Sequence, residues 1–94
     1  MYDIRIFRKA REYLDKLSYE EKKFILNEIY KLKNNPYSNP QLKPLKGYKG
    51  FWKLYMKQNR AIIKILIIKK QILVLLIGHR RDIYDKFFKG YMRS

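Results

Sequence analysis

The sequence has no cysteine, a single histidine and only eight acidic residues. Disulfide bonds and thiolate zinc sites are therefore excluded, and no catalytic metal site is expected, because such sites need several histidines or clustered carboxylates. The longest apolar run, Ile72–Ile77, is far shorter than the roughly 20 residues that cross a bilayer. The N-terminus lacks the basic start and apolar stretch of a signal peptide. The chain is expected to be cytoplasmic, with no metal, no other cofactor and no membrane partner.

Acidic residues are also absent from the whole stretch between Glu28 and Asp82. The 53 residues from 29 to 81 carry thirteen lysines and arginines, and so hold +13 of the formal net charge of +15. Such a surface repels itself, which opposes folding unless a polyanion binds it. Anionic membranes usually attract a basic amphipathic helix, whereas the basic half of this chain has the pattern of β-strands. The charge therefore predicts a nucleic-acid partner, and an acidic protein partner is compatible with it.

The N-terminal third predicts a strand followed by a helical hairpin. Residues Tyr2–Phe7 alternate as a half-buried strand does, and Arg8–Leu17 has apolar residues at helical spacing. Ser18 followed by Glu21 matches a capping box, so a second helix is expected from Tyr19 to about residue 33. Almost no loop is left between the two helices, which predicts that they pack side by side.

The remaining two thirds predict a proline-punctuated linker to about Gly50 and then three strands. The expected strands are Phe51–Lys57, Arg60–Ile68 and Gln71–Ile77, with two-residue turns at Gln58-Asn59 and Lys69-Lys70 and a short helix over Asp82–Lys89. The order β-α-α-β-β-β predicts an α+β fold in which the helical hairpin packs on one face of a small, antiparallel-rich sheet. The whole chain, 1–94, is expected to form one domain.

The turn at Gln58-Asn59 predicts which residues share a face of the sheet. It places Lys57 opposite Arg60 and Lys53 opposite Lys64. Like charges directly opposed destabilise a sheet, so this basic face is expected to meet an anion. Burying unpaired lysines costs several kcal/mol or more, so the basic face is expected to stay open.

The helices are then expected to cover the opposite face, which presents Trp52, Leu54 and Met56. The turn at Lys69-Lys70 places His79 opposite Arg60 by the same counting. Strict alternation therefore puts His79, rather than Arg80, on the basic face.

Several features follow one another in a characteristic order along the chain. They are the early strand and helical hairpin, Leu45-Lys46-Gly47, Trp52-Lys53-Leu54-Tyr55, Arg60 after the hairpin turn, and Gly78-His79-Arg80 followed by Tyr84. In this order and spacing, over nearly the whole length, the chain resembles the RelE-like toxins of bacterial and archaeal toxin–antitoxin pairs, within the RelE/ParE superfamily. The resemblance implies a toxin that enters the ribosomal A site and cleaves mRNA there without a metal.

The resemblance also implies catalytic roles for four residues. Lys53 matches the lysine that stabilises charge at the scissile phosphate and helps to activate the nucleophile, and Arg60 matches the arginine that clamps the phosphate. Arg80 matches the arginine that stabilises the transition state or protonates the leaving oxygen, and Tyr84 matches the tyrosine that stacks on a base or transfers a proton. The chain departs from the pattern at Tyr55, where RelE-like chains often have a second lysine.

The implied reaction is attack of the RNA 2′-OH on the scissile phosphate, which needs in-line positioning and neutralisation of a dianionic phosphorane. Its products are a 2′,3′-cyclic phosphate and a 5′-hydroxyl. A lysine or tyrosine among cations is expected to have a depressed pKa and to act as a base near neutral pH. The further residues expected to contact RNA or the ribosome are Lys46, Lys49, Tyr55, Lys57, Lys64, His79 and Arg81.

Two other functions remain open on the sequence. A ParE-like toxin of the same fold poisons DNA gyrase without cleaving RNA, and a non-catalytic RNA-binding module would also use a basic sheet face. The resemblance further implies a cognate acidic antitoxin whose flexible segment wraps the toxin in a hetero-oligomer. The expected partners are thus the antitoxin, the ribosome and mRNA.

Overall fold

The computed structural model describes residues 1–87 and 89 of the chain. The elements of this part are β1 (Asp3–Ile6), α1 (Arg8–Asp15), α2 (Tyr19–Tyr30), a 3-10 turn (Pro36–Ser38), β2 (Leu42–Pro44), β3 (Phe51–Met56), β4 (Asn59–Leu66), β5 (Gln71–His79) and α3 (Ile83–Lys86). Within these residues no helix has the length and apolar character that crossing a membrane requires.

The five strands form one sheet in the order β1-β5-β4-β3-β2. β1 runs parallel to β5, and every other neighbouring pair is antiparallel. The predicted α+β class and antiparallel-rich sheet are confirmed. The short strand β2 was not expected, because it lies in the proline-rich linker. β2 is an edge strand of the sheet and ends at Pro44. A proline is tolerated there because its missing N–H does not interrupt the hydrogen bonds of a central strand.

The helical hairpin packs on one face of the sheet, as predicted. Ser18 caps α2, since its Oγ accepts a hydrogen bond from the backbone N–H of Glu21 at 3.2 Å. Buried residues of the two helices and of the sheet meet in one core, which includes Ala10, Leu14, Ile25, Ile29, Leu54, Met56, Ala61 and Ile63. Trp52 is half-buried against the same core.

A second hydrophobic cluster occupies the other face of the sheet. Its buried members are Leu45, Ile62, Leu76, Ile83 and Phe87, and half-buried Tyr48, Phe51 and Tyr84 pack against it. The prediction that this face stays open is therefore wrong for the part around Ile62 and Leu76. Ile62 and Leu76 are paired on the two central strands, and their exposure would cost hydrophobic free energy, so α3 and the loop at residues 45–50 cover them. The basic residues lie around this cluster.

Gly78 lets α3 lie directly on β5. A Cβ atom at this position would lie 3.2 Å from Cδ1 of Ile83 and 3.6 Å from Nζ of Lys86. The first distance is tighter than ordinary van der Waals contact, so a side chain here would require Ile83 to shift by a few tenths of an ångström. The short helix α3 thus packs on β5 at Gly78.

The β3–β4 turn lies one residue earlier than expected. It consists of Lys57 and Gln58, and Lys57 takes the left-handed conformation at φ 60°. Asn59 belongs to β4, where it pairs with Met56 and accepts a hydrogen bond from the Tyr13 hydroxyl at 2.6 Å. This contact ties the start of β4 to α1. The opposing partners change by two positions, so the residues of β3 and β4 keep their predicted faces.

The β4–β5 connection is a four-residue loop, residues 67–70, in place of the expected two-residue turn. Farther along, the register shifts between Ile62 and Ile63, which leaves Leu75 as an extra residue on β5. Such a bulge moves all later residues to the opposite face. Gly78 consequently lies opposite Arg60, and His79 lies opposite Asn59. The placement of His79 on the basic face is wrong for this reason.

Replacing Ile83 should test the second cluster. Ile83 is fully buried in it, whereas Ile68 in the β4–β5 loop is 97% exposed. We expect Ile83→Ala to lower the free energy of unfolding by about 2–5 kcal/mol, because it removes buried methyl groups and leaves a cavity. The matched change Ile68→Ala should stay within about 0.5 kcal/mol of wild type. Urea denaturation measures both, and equal effects would mean that α3 does not pack as described.

Candidate functional site

Tyr55 and Arg60 form the centre of the site, because they lie directly opposite each other on β3 and β4. The Arg60 guanidinium carbon is 4.1 Å from the centroid of the Tyr55 ring, a close cation–π stack. Its Nη1 donates hydrogen bonds to the backbone oxygens of Lys57 at 2.6 Å and Asn59 at 2.9 Å. Stacking and turn carbonyls thus hold the guanidinium in place while its other N–H groups remain available to a phosphate.

Lys53 lies on the same face, between two tyrosines. Its Nζ is 5.6 Å from the centroid of the Tyr55 ring and 5.9 Å from that of Tyr84. Interaction with the Tyr55 hydroxyl is the largest influence on the pKa of Lys53 and raises it. Burial opposes this rise, and Tyr84 adds to it. Lys53 is therefore protonated at neutral pH. The expectation of a lysine base with a depressed pKa is wrong for Lys53, which acts as a fixed positive charge.

α3 brings Tyr84 to the site from the C-terminal part of the chain. Ile83, its neighbour, is fully buried against Gly78, and Tyr84 itself is half-buried beside the second cluster. The packing of α3 on β5 therefore determines the position of Tyr84 next to Lys53.

Arg80 continues the face that carries Arg60. Its backbone N–H donates a hydrogen bond to the Gln58 oxygen at 2.7 Å, which extends the β4–β5 pairing past His79. Because Gly78 lies opposite Arg60, residue 80 is the next position on that face. Its side chain is exposed. The bulge in β5 thus exchanges the predicted places of His79 and Arg80.

The other predicted binding residues lie at different distances from this centre. Lys64 shares the face, opposite Phe51, with its Nζ 5.2 Å from the Phe51 ring. Lys46 and Lys49 are exposed on the loop between β2 and β3, beside the second cluster. Arg81 is exposed past the end of β5.

Two of the predicted binding residues turn away from the site. The Lys57 Nζ lies 4.3 Å from the ring of Phe24 on α2, which is on the helical side of the sheet. The Nδ1 of His79 accepts a hydrogen bond from the backbone N–H of Arg81 at 3.1 Å, a local structural contact. Neither side chain joins Lys53 and Arg60.

Sequence reasoning missed Lys43. This exposed residue of β2 lies directly opposite Lys53 of β3, a spacing at which two side chains are close neighbours. Two lysines are thus directly opposed on the sheet, although they are not the pairs that were expected. The signal is the alternation in Leu42-Lys43-Pro44, which the prolines around it obscure.

The cations of the site have no carboxylate partner in the described part of the chain. The ion pairs there lie on the helices: Arg8–Glu12 at 3.9 Å, Lys22–Asp15 at 2.9 Å and Lys31–Glu28 at 2.6 Å. The positive potential of the sheet face is therefore not neutralised within residues 1–87 and 89. Such a site suits a phosphodiester, because its charges would stabilise the extra negative charge of a phosphorane.

The effect of Tyr55 on the pKa of Lys53 can be measured. A hydroxyl partner that raises the pKa of Lys53 stabilises the charged form, so Tyr55→Phe should lower that pKa toward its ordinary value. The stabilisation exists at and below neutral pH and is lost only as the pH rises through the raised pKa of Lys53. An NMR titration of the lysine side chains reads this directly, with Tyr19→Phe on the exposed start of α2 as the control. An unchanged Lys53 titration in Tyr55→Phe would contradict this interaction.

No protein-family model matches the chain, and no curated protein matches it either. Solved structures do match in fold. A chain of the toxin–antitoxin complex RelBE2 from Mycobacterium tuberculosis is 23% identical, with 86% of this chain and 93% of that chain covered and a TM-score of 0.72. A chain of the archaeal RelE–RelB complex from Pyrococcus horikoshii is 18% identical, with coverages of 84% and 94% and a TM-score of 0.73.

The isolated RelE toxin of E. coli is similar over still more of the chain. It is 17% identical, with 95% of this chain and 97% of that chain covered and a TM-score of 0.72. At such identities the likeness concerns the backbone. The chain therefore has the fold of the RelE toxins.

Proposed function

We propose that the protein is the toxin of a type II toxin–antitoxin system and that it cleaves mRNA in the ribosomal A site, in the cytoplasm and without a metal. The observation that carries this proposal is a continuous row of contacts on the basic face of a sheet with the RelE fold: Arg60 stacks on Tyr55, and Lys53 lies between Tyr55 and Tyr84. The absence of acidic residues from positions 29–81 supports a polyanionic substrate.

The proposed reaction is an internal displacement at phosphorus. The 2′-hydroxyl of the RNA loses its proton to solvent, and its oxygen forms a bond to the phosphorus. The bond to the 5′-oxygen of the next nucleotide breaks, and that oxygen takes up a proton to become a 5′-hydroxyl. Lys53 and Arg60 stabilise the phosphorane charge, and Arg80 stabilises it or protonates the leaving oxygen. Tyr84 stacks on a base or takes part in proton transfer.

The ribosome supplies what the site lacks. The proposed catalytic residues lie on a solvent-facing sheet surface and include no histidine or carboxylate. Holding the 2′-oxygen, the phosphorus and the leaving oxygen in line accounts for a large part of the rate of such reactions. We therefore expect free RNA to be cut poorly or not at all.

A non-catalytic RNA-binding protein is the second candidate. Tyr55 stands where RelE-like chains often have a second lysine, and its side chain is already engaged by Arg60 and Lys53. A site with one lysine fewer still binds phosphate. Primer extension on translated mRNA after induction separates the two candidates, because only the nuclease leaves new 3′ ends.

Arg60→Ala and Arg80→Ala should each slow mRNA cleavage on ribosomes by about 10²–10³-fold, because each removes one preorganised charge contact to the transition state. Both should also relieve growth arrest. The control is Arg5→Ala, which removes an exposed arginine of β1 at the far edge of the sheet. Wild-type cleavage by both site variants would refute the phosphate-clamp assignment.

An acidic antitoxin should associate quickly and in a salt-dependent manner. The unneutralised charge of the basic face accelerates the encounter with an acidic segment, and salt screens that attraction. We expect this segment to cover the basic face and to displace Tyr84 from Lys53. The test measures the association rate of the adjacent gene product across ionic strength. A rate that does not fall as salt rises would contradict electrostatic capture.

A further inference from the structure

The loop between β4 and β5 exposes two isoleucines at its tip. Ile67 is 62% exposed and Ile68 is 97% exposed. Loops of this kind usually carry glycine, asparagine, aspartate or proline. Folding requires no isoleucine here, since neither side chain is buried.

The loop is nevertheless well anchored to the rest of the sheet. The backbone N–H of Lys70 donates a hydrogen bond to the Ile67 oxygen at 3.2 Å, and the Lys70 oxygen accepts one from the N–H of Asp3 at 2.9 Å. The Lys70 Nζ lies 5.7 Å from the centroid of the Tyr2 ring. The two isoleucines are therefore presented on an ordered turn, which limits the entropy lost when a partner binds them.

Positive charge borders the exposed isoleucines. Lys69 and Lys70 follow them in the loop. Lys33 accepts a backbone hydrogen bond from the N–H of Tyr2 at 2.8 Å, and the ring of Tyr2 lies 5.7 Å from the Lys70 Nζ. The acidic residue nearest to them in the sheet is Asp3, at the start of β1. We call Ile67, Ile68, Lys69 and Lys70 the tip patch. An apolar centre with a basic border fits a protein segment that carries both acidic and apolar side chains.

Other partners fit the tip patch less well. RNA offers no aliphatic surface to two isoleucines, and these side chains neither stack on bases nor form hydrogen bonds. A membrane would accept them, but together they hold fewer carbon atoms than one myristoyl chain, which by itself binds membranes only marginally. A protein segment therefore fits best.

The tip patch is far from the candidate site. Arg60 and Ile67 are separated by seven residues along β4, or about 23 Å at about 3.3 Å per residue. A segment bound at the tip patch leaves the site uncovered. It acts as a second anchor, and two linked contacts bind far more tightly than either does alone.

We propose that the tip patch is a separate docking surface for an acidic, apolar segment of the partner protein, distinct from the segment that covers the basic face. This inference rests on the proposed function, because the partner is the proposed antitoxin. It assigns Ile67 and Ile68 as the apolar anchors of that contact.

The test uses the double variant Ile67→Thr/Ile68→Thr of the full chain, with the adjacent gene product as the probe. Threonine keeps the β-branch, and neither position is buried, so the fold should not change. We expect the dissociation constant to rise about tenfold or more, through faster dissociation. Cleavage of mRNA on ribosomes should stay at the wild-type level. The matched control is Tyr19→Thr, which removes a 77% exposed aromatic ring from α2 and should leave binding unchanged.

The outcomes separate this inference from the proposed function. Equal binding of wild type and double variant overturns the docking surface and leaves the toxin assignment intact. If the adjacent gene product does not bind the wild-type chain, the partner assignment and the docking surface both fail. Slower cleavage with unchanged partner binding would place the tip patch against the ribosome and overturn the inference. A double variant that still binds the adjacent gene product and loses binding only to anionic lipid vesicles would also overturn the inference.

Discussion

Strands β4 and β5 carry buried apolar side chains on both faces of the sheet, and these side chains have to be covered. The helical hairpin covers one face, and α3 with the loop at residues 45–50 covers the other. This requirement explains why a chain of this size has two hydrophobic clusters. It also explains Gly78, where the absence of a side chain lets α3 approach the strand. The position of Tyr84 follows from the same packing.

The basic residues take the positions that this packing leaves around the second cluster. Arg60 and Lys53 stay at the sheet surface because burying them without a partner would cost several kcal/mol or more. In the part of the chain that the structure describes, aromatic rings and turn carbonyls hold them in place of carboxylates. A carboxylate partner would neutralise the positive charge that the proposed phosphate substrate would contact. Tyr55 orients both cations and leaves their charge intact.

The raised pKa of Lys53 bears directly on the chemistry proposed for the site. A protonated lysine contributes through its charge, so the proposed catalysis is chiefly electrostatic, with positioning assigned to the ribosome in the same proposal. The departure from the RelE-like pattern at Tyr55 then has a physical meaning. A second lysine would add charge at this position, whereas the tyrosine orders the lysine and arginine beside it.

Much of this protein could be predicted from its sequence, because the relevant forces act between near neighbours. The capping box at Ser18, the alternation of β3 and the missing carboxylates led to the helical hairpin, the α+β class and the shared face of Lys53 and Arg60. Contacts between distant parts of the chain decided the rest. Tyr13 of α1 donates a hydrogen bond to Asn59, the first residue of β4, and a bulge at Leu75 exchanges the places of His79 and Arg80. The local sequence pattern predicts neither of these features. The cover over Ile62 and the pairing of Lys43 with Lys53 were likewise set by tertiary packing alone.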